Sequence, residues 1–171
     1  MAKLFIFIPF NKSSLDVNVD LLKDATQALN EFNTVMEKNA KSTIGKHIDA
    51  HIVKGGLEIV YADSKFVMTK DDYIIVFAHG SPRTADKLFS NTPDLEVTTS
   101  SVKALLKKCN ANAAKMILFM NCYSKNPKHI AAEWKTENSK QIVYGGSQDV
   151  AKLFTATRNS IINSCIALDL V

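Results

Sequence analysis

No apolar run in this 171-residue chain reaches the ~18–20 residues that span a bilayer, so no membrane partner is expected. The opening MAKLFIFIPF resembles a signal peptide only briefly. It has one Lys, a short apolar run and no small-residue cleavage site before NKSSLD. It reads as a first buried strand, and the chain is expected in the cytosol, or exported without a cleaved leader.

Cysteine is scarce and odd in number: Cys109, Cys122 and Cys165. Their irregular spacing argues against a disulfide framework, and the lack of any CxxC pair gives no hint of zinc. Reduced thiols fit a cytosolic protein. The net charge of +4 is mild, and no basic stripe interleaves with aromatics, so a nucleic-acid partner is not expected. Internal repeats, low-complexity tracts and obvious linkers are missing too. Residues 1–171 therefore read as one domain with one core. Neither a P-loop nor a GxGxxG fingerprint is present, and no cofactor is expected.

Segments of two periods alternate along the chain. Leu4–Ile8 is a continuous apolar run, as in a strand buried on both faces. Possible N-caps run from Ser13 to Asn18. Leu22, Ala25, Leu29, Phe32 and Met36 then recur at helical spacing. Ile48–Val53 and Leu57–Ala62 flank Gly55-Gly56, which predicts a hairpin, with Phe66–Met68 as a possible extension of it. The run YIIVFA (Tyr73–Ala78) stops at His79-Gly80, and a polar stretch read as loop follows. Thr98 or Thr99 caps a helix bearing Val102, Leu105, Leu106 and Cys109. MILFM (Met116–Met120) stops at Asn121-Cys122. Asn126-Pro127 reads as the start of a helix with Ile130, Ala131 and Trp134 inside. QIVY (Gln141–Tyr144) ends at Gly145-Gly146-Ser147, and one or two helices close the chain. The fold class is α/β: a mainly parallel sheet between helices, with an antiparallel hairpin.

In such a sheet functional residues gather at the carboxyl ends of the strands. His79 and Cys122 each follow a buried strand. If those strands are neighbours, the two residues emerge about one strand spacing (~5 Å) apart, and an imidazole beside a thiol activates it as a nucleophile. The N–H groups of Gly80 and Cys122 are candidates for an oxyanion hole. Cys109 and Cys165 lie on apolar helix faces and read as packing. His47 and His51 have helical metal spacing but fall where a strand is expected, with no carboxylate partner. His129 reads as solvated.

An apolar strand ending in His-Gly, a crossover, and an apolar strand ending in Cys resemble the caspase-like cysteine peptidases. The matching stretches are IIVFAHGS and MILFMNCYS, with HIAAEWKTENSKQIVYGGSQDV similar to the helix-then-strand unit that follows. The resemblance covers Tyr73 to Val150; the QAC-R-G run of the caspases is missing. It implies a cysteine endopeptidase acting on a peptide or protein substrate. His79 is then general acid and base, Cys122 the nucleophile, and Gly80 part of the oxyanion hole, with no third member required. Ser81, Asn121, Gly145, Gly146, Ser147 and Asp149 would line the substrate cleft. Asp149 or Asp86 would suit a basic substrate side chain, and Arg83 an acidic one. The alternatives are a caspase-like module that binds without cleaving, and a flavodoxin-like domain holding FMN or phosphate, of whose loop NKSS is a faint version.

Overall fold

The computed structural model describes residues 1–15, 20–37, 43–44, 48–49, 55–91, 94–147 and 168–171. In chain order the elements are β1 (Leu4–Ile8), α1 (Asp20–Glu37), β2 (Thr43–Ile44), β3 (Ile48–Asp49), β4 (Leu57–Tyr61) and β5 (Tyr73–Phe77). Then come β6 (His79–Ser81), β7 (Thr84–Asn91), β8 (Asp94–Thr98), α2 (Thr99–Lys108), β9 (Met116–Met120), α3 (Ile130–Glu137), β10 (Ile142–Gly145) and β11 (Asp169–Leu170).

The main sheet has the order β11-β10-β9-β5-β1-β4. Its pairs are parallel except β10 with β11. Every residue of β1, β5 and β9 is buried, because helices cover both faces and the strands have no solvent side to make polar. The alternation of side chains sorts them into two layers. Leu4, Ile6, Ile8, Ile75, Phe77, Leu118 and Met120 pack with Leu21, Ala25, Ala28 and Phe32 of α1. Phe5, Phe7, Ile74, Val76, Ile117 and Phe119 pack with Val102 and Leu106 of α2 and with Ile130, Ala131 and Trp134 of α3. Among the described residues no helix is long and apolar enough to cross a membrane.

Three expectations need correction. Among the described residues no hairpin across Gly55-Gly56 is seen, and residues 50–53 of its expected first arm lie outside them. Instead β4 runs parallel to β1, and Ile48–Asp49 pairs with Thr43–Ile44. Gly55 serves close approach: its N–H bonds the Ala2 carbonyl at 2.8 Å, and a β-carbon there would lie 2.7 Å from that oxygen. Joining the central sheet buries more apolar surface than a free ribbon does, and this outweighs the local turn signal. Phe66–Met68 adds no strand.

Second, the polar stretch after Gly80 holds a three-stranded antiparallel sheet, β6-β7-β8. DLEVT alternates strictly, and Leu95 and Val97 pack on the core.

Third, the helix expected from Asn126-Pro127 begins at Ile130; His129 stands at its N-cap position without a side-chain cap bond, and is buried rather than solvated. Thr98 does cap α2, its Oγ accepting the Ser101 N–H at 3.2 Å. The closing helices, His47, His51, Asp149 and Cys165 lie outside the described residues.

Candidate functional site

The two strand tips lie side by side. β5 and β9 are neighbours, and Phe77 stands opposite Met120. Both side chains belong to the α1 layer. Just beyond the strand ends, His79 turns to the head of α1, where it meets Asp20. Cys122 packs on the α1 layer. Gly80 closes the junction: a β-carbon there would collide with the Cys122 carbonyl oxygen and lie 3.1 Å from Asn121 Nδ2. Only glycine lets the two backbones approach so closely. The ladder between β6 and β7 shifts register between His79 and Ser81, an irregularity that re-aims side chains where it occurs.

A carboxylate holds the histidine. His79 Nε2 lies 2.5 Å from Asp20 Oδ2, with both side chains about a third exposed (34% and 29%). The other oxygen, Asp20 Oδ1, accepts the Leu21 N–H at 2.9 Å and the Ser90 hydroxyl at 3.3 Å. Asp20 opens α1, where the helix dipole favours an acid. Burial acts to raise the Asp20 pKa. The hydrogen bond and charge of His79, with the N–H groups of Leu21 and Asn91, overcome it and hold the carboxyl below its ordinary 3.8. Asp24, one turn on, moves the other way: burial raises its pKa against the attraction of His79, and the charge of Asp20 adds to the rise.

The remaining predicted residues fall around this pair. Ser81 heads the turn from β6 into β7, its Oγ accepting the Arg83 N–H at 3.2 Å. Arg83 and Asp86 are exposed on that hairpin. Asn121 is buried, and its Oδ1 has no hydrogen-bond partner. Gly145 stands in register with Phe119 of β9, so the glycine loop shares the carboxyl edge. A β-carbon at Gly145 would stand 2.9 Å from both Ser124 Oγ and Ala131 Cβ. The Gly146 N–H donates to Ser124 Oγ at 2.8 Å, and the Lys125 N–H donates back to the Gly146 carbonyl at 3.0 Å. These bonds tie the glycine loop to the loop that follows Cys122. Both glycines are buried; Ser147 is exposed and donates to Asp169 Oδ2 at 3.0 Å.

Asp20, Asp24 and Ser90 are the residues that sequence reasoning missed. One signal was present for Asp20. A helix following β1 must start at the carboxyl edge, so an acid at its head belongs near the other strand tips. Ser90 gave no such signal, because its place depends on the pairing of β7.

The arrangement offers a half-buried thiol, an imidazole on the adjoining strand tip and a carboxylate behind the imidazole. That is the equipment of nucleophilic acyl transfer. No family model matches the chain, and no curated protein matches it.

Proposed function

We propose that the chain is a cysteine endopeptidase of caspase-like type, working in a reducing, cytoplasmic compartment on a peptide or protein substrate. The observation that carries this reading is the seating of Gly80 against the Cys122 carbonyl. It brings the ends of two buried neighbouring strands to one point, with His79 directly before Gly80 on one side and Cys122 on the other. The His79–Asp20 pair adds to it. A carboxylate on Nε2 fixes the ring and leaves Nδ1 for proton transfer.

In the reaction the Cys122 thiolate attacks the scissile carbonyl carbon. A C–S bond forms, and the N–H groups of Gly80 and Cys122 receive the developing oxyanion. His79, carrying the thiol's proton, gives it to the leaving amine as the C–N bond breaks. Water, deprotonated by His79, then cleaves the thioester and restores the thiol. Asp20 stabilises the imidazolium in both half-reactions.

Profiling wild type and Cys122→Ala against a peptide library tests the reading. Wild type cuts a subset of peptides; Cys122→Ala cuts none and unfolds at the same temperature. Absence of cleavage by wild type at any substrate excess overturns the peptidase and leaves the binding module.

One observation favours a flavodoxin-like reading: the order β4-β1-β5-β9-β10 also serves nucleotide binding. The loop after β1 speaks against it. Its Lys12 N–H bonds Asp63 Oδ1 at 3.1 Å, and the Ser14 and Leu15 N–H groups bond the carbonyls of Asn11 and Lys12. These donors are engaged, and a carboxylate stands where a phosphate would sit. Addition of FMN or inorganic phosphate should therefore leave the melting temperature unchanged.

A further inference from the structure

The segment between His79 and Cys122 is longer than a simple crossover needs. It carries β6, β7 and β8 before α2 begins. β6 starts at His79 itself and pairs with β7. β7 ends in Ser90-Asn91. Ser90 is fully buried, although nothing in an antiparallel ribbon requires a hydroxyl there. Its Oγ donates across 70 residues of chain to Asp20 Oδ1, the oxygen of the carboxylate that does not meet His79. The Asn91 backbone N–H next to it also acts to lower the Asp20 pKa. The ribbon that begins with the histidine thus returns to grip the carboxylate holding it.

We propose that Ser90 is a positioning residue for the Asp20–His79 pair, and that the inserted β6-β7-β8 sheet acts as a clamp fixing the imidazole relative to Cys122. The inference rests on the peptidase reading for its purpose, not for its geometry. A carboxylate held on one oxygen by Leu21 N–H alone can rotate about its Cα–Cβ bond. A second donor from a separate element restricts that rotation and leaves Oδ2 aimed at the ring. A buried serine that served packing alone would be replaced by alanine without consequence for the histidine.

A double-mutant cycle separates the two roles. The quantity measured is the rate of Cys122 alkylation by iodoacetamide near neutral pH, with melting temperature as the check on folding. Ser90→Ala should slow alkylation about 5-fold, the size of one net hydrogen bond. Asp20→Ala should slow it about 10-fold, and Ser90→Ala in that background should add nothing. Equal slowing in both backgrounds, or none in either, overturns the clamp.

A second readout needs no reactive thiol. The His79 imidazole N–H, hydrogen-bonded to a carboxylate, should give a downfield proton resonance protected from solvent exchange. It should be lost in Asp20→Ala and broadened by faster exchange in Ser90→Ala. A line equally sharp in Ser90→Ala overturns the clamp. If His79→Ala leaves Cys122 alkylation unchanged, the peptidase reading fails, and this resonance then decides the clamp by itself.

Discussion

Each end of the main sheet sets a buried or half-buried aspartate and a cysteine near its strand tips, and the two ends use them differently. At the amino end Asp72 is buried. It accepts the Lys3 N–H at 2.8 Å, the Thr69 N–H at 2.7 Å and the Thr69 hydroxyl at 2.9 Å. These groups hold no charge that can change, so the carboxylate staples the residue before β1 to the turn before β5 and nothing more. Cys109, at the end of the helix α2 that leads back toward this edge, donates its thiol to the Leu106 carbonyl at 3.1 Å. At the carboxyl end Asp20 accepts from an ionisable partner, His79, and half-buried Cys122 follows the neighbouring strand β9. The lesson is that burial of a polar group marks a function only when its partner can titrate or react. A carboxylate satisfied by backbone N–H groups is part of the fold.

The sharpest way to break this comparison is the two thiols. Burial pushes the Cys109 pKa up to about 11, against the pull of backbone groups at Ala111 and Cys109. At about pH 8 only about one Cys109 in a thousand is thiolate. Iodoacetamide on the folded protein should modify Cys122 and leave Cys109 intact until denaturant is added, as peptide mass mapping would reveal. Modification of Cys109 at an equal rate would erase the contrast.

Next in size is a crossed pair of aspartate variants. Asp72→Ala strands the Lys3 and Thr69 donors and should cost about 3 kcal/mol in urea unfolding, with Cys122 alkylation unchanged. Asp20→Ala should cost about 1 kcal/mol, the value of an acid at a helix start, while slowing alkylation about 10-fold. Matching profiles for the two variants would mean that both carboxylates are merely structural.

The smallest effect concerns pH. Asp20 titrates below 3.8 in the folded protein. The stability it adds is present above that value and is lost as pH falls through its lowered pKa. Asp24 titrates above 3.8. Its contribution is present below 3.8 and is lost as pH rises through its raised pKa. Urea midpoints of Asp20→Asn and Asp24→Asn against wild type, from about pH 3 to about pH 6, should therefore diverge with opposite slopes. Parallel slopes would remove the distinct environments of the two acids.

Much of the frame is legible along the chain. LFIFI, YIIVF and MILFM are strands because continuous apolar runs of this length suit only a sheet covered on both faces. α1 follows its spacing, with the buried stripe turned slightly toward Leu21 and Ala28 rather than Leu22 and Leu29. After the Gly55-Gly56 turn signal, Leu57–Tyr61 pairs in parallel with β1, because local chemistry yields to the burial gained in the central sheet. The β6-β7-β8 ribbon passed for loop because its polar composition concealed its alternation. His79 and Cys122 could be singled out because each directly ends a buried strand. Asp20 gave only the weaker signal of an acid at the head of the helix after β1, and its link to Ser90, 70 positions away and made by a side-chain hydrogen bond, gave none.

The sequence by itself determined the apolar strands, the helices between them and the edge at which the histidine and cysteine emerge, because periodicity is a local property. Tertiary structure decided which strands are neighbours, that Gly80 meets the Cys122 carbonyl, and that the head of α1 and the end of β7 converge on one imidazole. Such convergence comes from long-range pairing and burial, which no short window of residues encodes.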